Sequence, residues 1–277
     1  MAPMLASGLA RAAKARLHRT SAVKVPSFAL ALLVCLAPSV RAQSSDRPFT
    51  VTITPSYVSE YMYRGTQLAG SSLQPAIEAD AGQAVFGVWS NLPLASTGSV
   101  RATEVDPYAS YSIPLGKEFS LAPGFEAYTY SQPSPAEGNY RARYEPNLSL
   151  TYSAHGIRVT PTAYYDLTLQ ELTLELTVTT ALPLAAIGTE LDLTGTAGNY
   201  TATHALDTSG PNEKAWGSYW LLGGSIPYQL VKNVKAAIGY AYTDGFDAHT
   251  QLGSLLRVVN PRAVGRSVLS ASVTLSF

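Results

Sequence analysis

Residues Ser267 to Phe277 read SVLSASVTLSF and end the chain. Side chains of an extended strand alternate with period 2, so Ser267, Leu269, Ala271, Val273, Leu275 and Phe277 share one face. Val268, Ser270, Ser272, Thr274 and Ser276 share the other. One face is mostly apolar, the other is almost entirely small hydroxyl residues, and the last residue is aromatic. A soluble edge strand tolerates such a pattern. A bacterial outer-membrane barrel requires it, with lipid outside, water inside and an aromatic at the interface. The expected fold class is therefore all-β, an antiparallel transmembrane β-barrel. Phe277 is expected to anchor the interface and to signal to the barrel-assembly machinery.

The opposite end agrees. Arg11, Lys14, Arg16, Arg19 and Lys24 form a basic region without acids, Phe28 to Ala37 (FALALLVCLA) is an apolar core, and Val40-Arg41-Ala42 has small residues at −3 and −1 of a cleavage site. This is the pattern of a secretory signal peptide over residues 1–42, cut after Ala42, with the barrel over 43–277. About ten apolar residues are too few to span a bilayer as a helix. Cys35, the single cysteine, lies within the apolar core between Val34 and Leu36, a poor fit to a lipidation site. The mature chain would then hold no thiol and no disulfide, and its hydrogen-bond ladder would have to hold it together. Six of the 19 Lys and Arg precede residue 43, which leaves 13 against 19 acids and a net charge of about −6. That balance gives no reason to expect nucleic acid as a partner. Expected partners are outer-membrane lipid and lipopolysaccharide, the assembly machinery and small polar solutes, at the bacterial outer membrane.

Alternating segments recur along the mature chain: Phe49–Tyr63, Leu73–Ala81, Ala84–Asn91, Thr103–Ile113, Phe119–Tyr130, Tyr140–Tyr152, Ile157–Leu167, Leu172–Leu184, Thr189–Tyr200, Ala215–Tyr228, Val234–Thr243 and Arg266–Phe277. Twelve strands suit a single-chain bacterial barrel, which takes an even number. Leu172–Leu184 is the clearest, with Leu172, Leu174, Leu176, Val178 and Leu182 opposed to Thr173, Glu175, Thr177 and Thr179. Tight connections near Gly82, Gly116, Gly156, Gly188 and Asn233 alternate with mostly longer Gly/Pro/Ser/Asn-rich ones, including Arg64 to Ser72 and Asp244 to Gly265. Short periplasmic turns and long outer loops have this rhythm; the seventh-to-eighth connection is the short exception. The 17 Tyr, many near expected strand ends (Tyr63, Tyr111, Tyr130, Tyr140, Tyr152, Tyr228), suit interfacial girdles, though Tyr is also simply a good strand former. Pro55, Pro75, Pro107, Pro123, Pro146 and Pro161 fall inside strands. Each removes a ladder donor and calls for a bulge or kink.

The run Tyr61-Met62-Tyr63-Arg64-Gly65, then Gln74-Pro75-Ala76-Ile77-Glu78, then Phe86-Gly87-Val88-Trp89-Ser90-Asn91 resembles the TorF-type porin family of bacterial outer membranes. That family carries an aromatic-x-aromatic-Arg-Gly motif near the mature N-terminus and a Gly-x-Trp-x-Ser-Asn motif on the third strand. The second motif is one residue short here, Trp89-Ser90-Asn91, and the resemblance is diffuse beyond Tyr57 to Pro93. It implies an outer-membrane barrel with Tyr61, Tyr63, Arg64, Gly65, Trp89 and Asn91 as motif residues, and it implies little about cargo.

With polar faces pointing inward, Arg141, Arg143 and Glu145 on the sixth strand become pore-lining candidates. So do Arg158 and Asp166 on the seventh, Glu171 and Glu175 on the eighth, Glu104 and Asp106 on the fourth and Glu126 on the fifth. Opposed charges across a narrow lumen would orient polar solutes; the same charges could instead pair into ladders that plug it. Arg64 at the end of the first strand either grips a solute or phosphate at the outer rim or pairs locally with Glu60 in a turn at Gly65. The apolar run of the last outer loop (Leu252, Leu255, Leu256, Val258, Val259), among Arg257, Arg262 and Arg266, would be buried by folding into the mouth. His155, His204 and His249 are scattered over turns and loops with no Ser or Asp partner motif. No catalytic, metal or cofactor residue is expected. A porin-like channel for small polar solutes or ions is the expected function, with a closed barrel acting as a structural or adhesion protein through its outer loops as the alternative.

Overall fold

The computed structural model describes residues 49–94, 103–132, 140–205, 212–246, 263 and 265–277. The expected leader with Cys35, the apolar run of the last outer loop with Arg257 and Arg262, and His249 lie outside them. The wall is built from twelve strands: β1 (Thr50–Thr54 and Ser56–Val58), β2 (Ser72–Leu73 and Ala76–Ala81), β3 (Ala84–Pro93), β4 (Glu104–Tyr111 and Ile113–Pro114), β5 (Phe119–Tyr130), β6 (Ala142–Ala154), β7 (Ile157–Asp166), β8 (Glu171–Leu184), β9 (Thr189–Ala205), β10 (Asn212–Val231), β11 (Val234–Phe246) and β12 (Arg266–Ser276). Each pairs antiparallel with its sequence neighbour, and β1 pairs with β12, so the sheet closes on itself. Closure removes the edge strands that would otherwise present unpaired backbone groups to lipid.

The seam explains the terminal residue. Thr52 faces Ser276 and Ile53 faces Leu275. The Phe277 N–H donates to the Val51 carbonyl at 2.9 Å and the Val51 N–H to the Phe277 carbonyl at 3.1 Å. Phe277 is thus the last rung of the closing ladder, and its ring is exposed on the outside. The facing read from SVLSASVTLSF is the one observed: Ser267, Leu269, Ala271, Val273 and Phe277 are exposed, and their alternates are half-buried. On β8, Leu174, Leu176 and Val178 are exposed while Thr173, Glu175 and Thr177 turn inward. β9 and β10 run for 17 and 20 residues, longer than the roughly 9–11 that a tilted strand needs to cross a bilayer.

The six prolines named from the sequence are absorbed in two ways. The register Thr54↔Ala76 and Tyr57↔Leu73 places Pro55 opposite Pro75. Each breaks its strand, but each carbonyl still accepts from the other neighbour, Val273 N–H at 3.1 Å and Ser90 N–H at 3.0 Å. Pro107, Pro123, Pro146 and Pro161 stay within continuous strands. Pro107 keeps Val88, Pro123 and Pro146 keep Leu148 and Phe125, and Pro161 keeps Leu176. On the opposite flank of each the ladder is interrupted, as between Glu126↔Tyr108 and Thr129↔Val105 beside Pro107. A strand residue directs both backbone groups to one side, so a proline forfeits a rung on that side alone.

One departure from the sequence reading changes the interior. The first strand does not run to Tyr63, and Arg64 to Ser72 is not an outer loop. The wall strand stops at Val58, and Tyr61–Tyr63 pairs with Thr66–Ala69 as a separate hairpin, with Tyr63 opposite Thr66. Arg64 (φ 44°) and Gly65 (φ 72°) form its two-residue turn, the left-handed geometry that matches strand twist in hairpins. Tyr61, Met62, Tyr63, Leu68 and Ala69 are buried. Left in water as a loop, this apolar stretch would be exposed; folded inward it fills lumen that a wall of this width leaves vacant.

Candidate functional site inside the barrel

The inner hairpin organises the site. Its base packs into an aromatic cluster of Tyr61, Tyr63, Leu68, Trp89, Tyr128 and Tyr130, with Tyr108 beside it; the Tyr61 and Trp89 rings lie 5.5 Å apart. Trp89 is on β3, so the two sequence motifs meet in space through this contact. Asn91, also on β3, accepts a hydrogen bond from the buried Gln74 amide at 3.0 Å. Tyr63 and Tyr130, expected in the interfacial girdles, are buried here instead, whereas Tyr111, Tyr140 and Tyr228 are exposed on the outside.

The hairpin tip reaches across the lumen to the opposite wall. The Arg64 guanidinium donates to both carboxylate oxygens of Glu145 on β6, at 3.2 and 3.1 Å. It lies 4.9 Å from the ring centroids of both Tyr63 and Tyr164. A fork-to-fork pair with aromatic faces on two sides combines the strongest geometries available to arginine. The expected turn with Gly65 at positive φ is present, but Arg64 is not at the outer rim and does not pair with Glu60, which instead accepts the Gln67 amide of the other hairpin arm. Gly65 touches the β11 backbone, where an added Cβ would lie 2.7 Å from the Asp244 carbonyl oxygen. A side chain has no room there. Thr66 forms an isolated antiparallel bridge with Ala263.

Around the tip, tyrosine hydroxyls hold carboxylates. Tyr61 donates to Glu104 at 3.0 Å, Tyr108 to Glu78 at 2.8 Å, and Tyr128 to Glu145 at 2.8 Å, with Glu126 3.0 Å from the same hydroxyl. Glu175 accepts from Tyr164 at 3.2 Å and from Tyr219 at 2.6 Å. Glu126 and Glu145 face each other directly across β5 and β6, a like-charge pair that disfavours the fold unless bridged. The Tyr128 hydroxyl lies between the two, and Arg64 neutralises Glu145. Arg143 donates through Nε to Asp166 at 2.7 Å and again through Nη2, and its guanidinium lies 5.4 Å from the Tyr128 ring centroid. Asp166 also accepts from the Thr168 and Leu169 N–H groups at 2.8 and 2.7 Å, so it closes the β7–β8 turn as well.

The candidates named from sequence therefore separate into groups. Glu104, Asp106, Glu126, Arg143, Glu145 and Asp166 are buried in the interior network, and Glu175 joins it half-buried. Asp106 accepts the Thr129 N–H at 3.2 Å, and its other oxygen has no hydrogen-bond partner among the described residues. Glu171 is half-buried at the start of β8, across from Asp166. Arg141 is exposed in the bend before β6 and does not stand beside Arg143, because the strand begins only at Ala142. Arg158 is exposed near the β6–β7 turn, across from Ser153. His155 sits in that turn at φ 53°. Sequence reasoning did not single out Tyr219 or Tyr200. The available signal was the cross-strand pairing of glycine with tyrosine: Gly87 lies beneath Tyr108, Gly198 beneath Tyr219 and Gly217 beneath Tyr200, where each ring occupies the space of a missing side chain. That pairing emerges only once the register is known.

Neither a family model nor a curated protein matches the chain. Solved structures do. The NanC porin aligns with a TM-score of 0.51 at 12% identity, over 81% of this chain and 98% of that one. The fold is that of an outer-membrane barrel. The KdgM porin aligns at a TM-score of 0.48 and 13% identity, over 82% and 99% of the two chains. LpxR from Salmonella typhimurium aligns at 0.46 and 9%, over 81% and 99%. At such identities the likeness extends to the fold and not to the residues inside it. The hairpin, its arginine and the tyrosine–carboxylate network belong to the description of this chain alone.

Proposed function

We propose that this protein is a channel of the bacterial outer membrane for passive passage of small polar solutes or ions, narrowed by its inner hairpin and selective for cations. The observation that carries the reading is the division of the wall. Leu, Val and Phe face outward around β8 and β12, as lipid contact demands, while carboxylates collect inside. Arg64 and Arg143 are each committed to one acid, Glu145 and Asp166. Glu78, Asp106, Glu126 and Glu175 are held by tyrosine hydroxyls or backbone rather than by a cation in the bonds described above. A narrow lumen with surplus negative charge and low-dielectric walls concentrates cations and repels anions. Membership of the TorF-type porin family, suggested by the two motifs, fits this reading, as do outer-membrane lipid, lipopolysaccharide and the assembly machinery as partners.

The buried hairpin favours a second reading, a closed barrel acting as a structural or adhesion protein through its outer loops. Single-channel recording of the refolded protein in planar bilayers separates the two. The channel reading expects discrete conductance steps and, under a salt gradient, a reversal potential of cation-selective sign. Absence of current across voltages and salts assigns the protein to the closed reading.

A further inference from the structure

We infer that the wall around Arg64 is a binding site for a guanidinium or ammonium solute, and that the hairpin's own arginine is its tethered occupant. The inference rests on the channel reading for its consequence, that organic cations of this class are the permeant or gating solutes; the site itself follows from geometry. Arg64 sits at φ 44°, a conformation uncommon for a residue with a long side chain, in a turn where Asn or Gly would be the conformational choice. Its side chain, not its backbone, accounts for its presence. That side chain is received by a pocket of Glu145, Tyr164 and Tyr63. The bidentate carboxylate with two rings within about 6 Å is a general recognition geometry for guanidinium and substituted ammonium ions.

The wall members of the pocket are also held by one another. Glu145 accepts from Tyr128 as well as from Arg64, and Tyr164 is tied through its hydroxyl to Glu175, which Tyr219 fixes in turn. Tyr128, Glu145, Tyr164, Glu175 and Tyr219 lie on β5, β6, β7, β8 and β10, all paired wall strands. Only Arg64 and Tyr63 arrive on the hairpin. Withdrawal of the hairpin therefore leaves the carboxylate and the Tyr164 face in place, presented to the lumen. A solute of the same chemistry competes for them.

The test uses Arg64→Asn, which removes the cation and gives the turn the Asn-Gly pair that type I′ hairpins prefer. The purified barrel is heated in detergent with guanidinium chloride below denaturing concentration or with sodium chloride at equal ionic strength. At guanidinium about ten times its dissociation constant, the folded-to-unfolded ratio of this variant should rise about tenfold over the sodium control. Wild type, its site already filled, should show no such gain, and Arg64→Asn combined with Glu145→Gln should lose it. Equal response of Arg64→Asn to the two salts overturns the inference. Should Arg64→Asn fail to assemble, Arg64→Gly, which also accepts positive φ, takes its place under the same criterion. The readout needs no conduction. A barrel that binds guanidinium without passing current refutes the channel alone, and a conducting barrel indifferent to guanidinium refutes the site alone.

Discussion

Arg64 and Glu145 show how a single pair sets the state of the lumen. Glu145 is almost fully buried and Arg64 nearly so, so removing the carboxylate leaves a guanidinium charge that the interior cannot solvate. Breaking one side of a buried pair costs about 3–5 kcal/mol in general, and here the strain can be relieved by releasing the hairpin. Glu145→Gln should thus give a folded barrel whose hairpin detaches, seen as conductance raised several-fold over wild type in planar bilayers. Unchanged conductance with unchanged thermal stability would mean the pair holds nothing in place. Gly65→Ala should act in the same direction from the other contact, since a Cβ meets the Asp244 carbonyl and Gly245.

At the scale of the strand, facing governs cost. Leu176 on β8 is exposed on the outer face, and Thr179 turns inward. Leu176→Arg places charge in lipid and should cost about 2–4 kcal/mol near the midplane, whereas Thr179→Arg should leave folding nearly unchanged and lower cation selectivity. Urea titration of refolded protein in vesicles measures the difference, and equal stabilities would put the register out by one residue. The closing strand carries a related expectation. Removing Phe277 deletes both seam bonds to Val51 and the aromatic at the interface. Export should continue while the heat-modifiable form disappears from the outer-membrane fraction; normal assembly of the truncated chain would show the seam closes without its last rung.

For the whole molecule, the hairpin must move if the lumen is to widen. Thr66 and Ala263 are bridged between hairpin and wall-proximal chain, close enough for a disulfide when both are changed to Cys. With Cys35, the one cysteine of the sequence, changed to Ser, no other thiol competes for this bond. The oxidised double variant should conduct less than its reduced form, and dithiothreitol should reverse the loss within one bilayer. Identical currents in both forms would mean that solutes pass beside a fixed hairpin rather than through space it vacates. The lumen's excess of carboxylates adds a salt dependence: cation preference should be greatest at low ionic strength and fade as the Debye length falls towards about 3 Å in 1 M salt.

Period-2 alternation by itself determined the wall. Leu174 against Glu175 and Leu269 against Ser270 fix which side meets lipid, because a strand offers its neighbours only two faces, and the close-set turns at Gly82, Gly156 and Gly188 fix where each strand reverses. The inward candidates Glu104, Asp106, Glu126, Arg143 and Glu145 were legible for the same reason. Their partners were not. That Tyr61-Met62-Tyr63 leaves the wall after Val58 depends on how much lumen a closed ring of this size leaves unfilled, a property of the ring and not of the segment. That Arg64 finds Glu145, 81 positions away, depends on the path of a hairpin across open space. Local periodicity reports the faces of an element; what crosses the interior is decided by closure, which exists only once all twelve strands are in register.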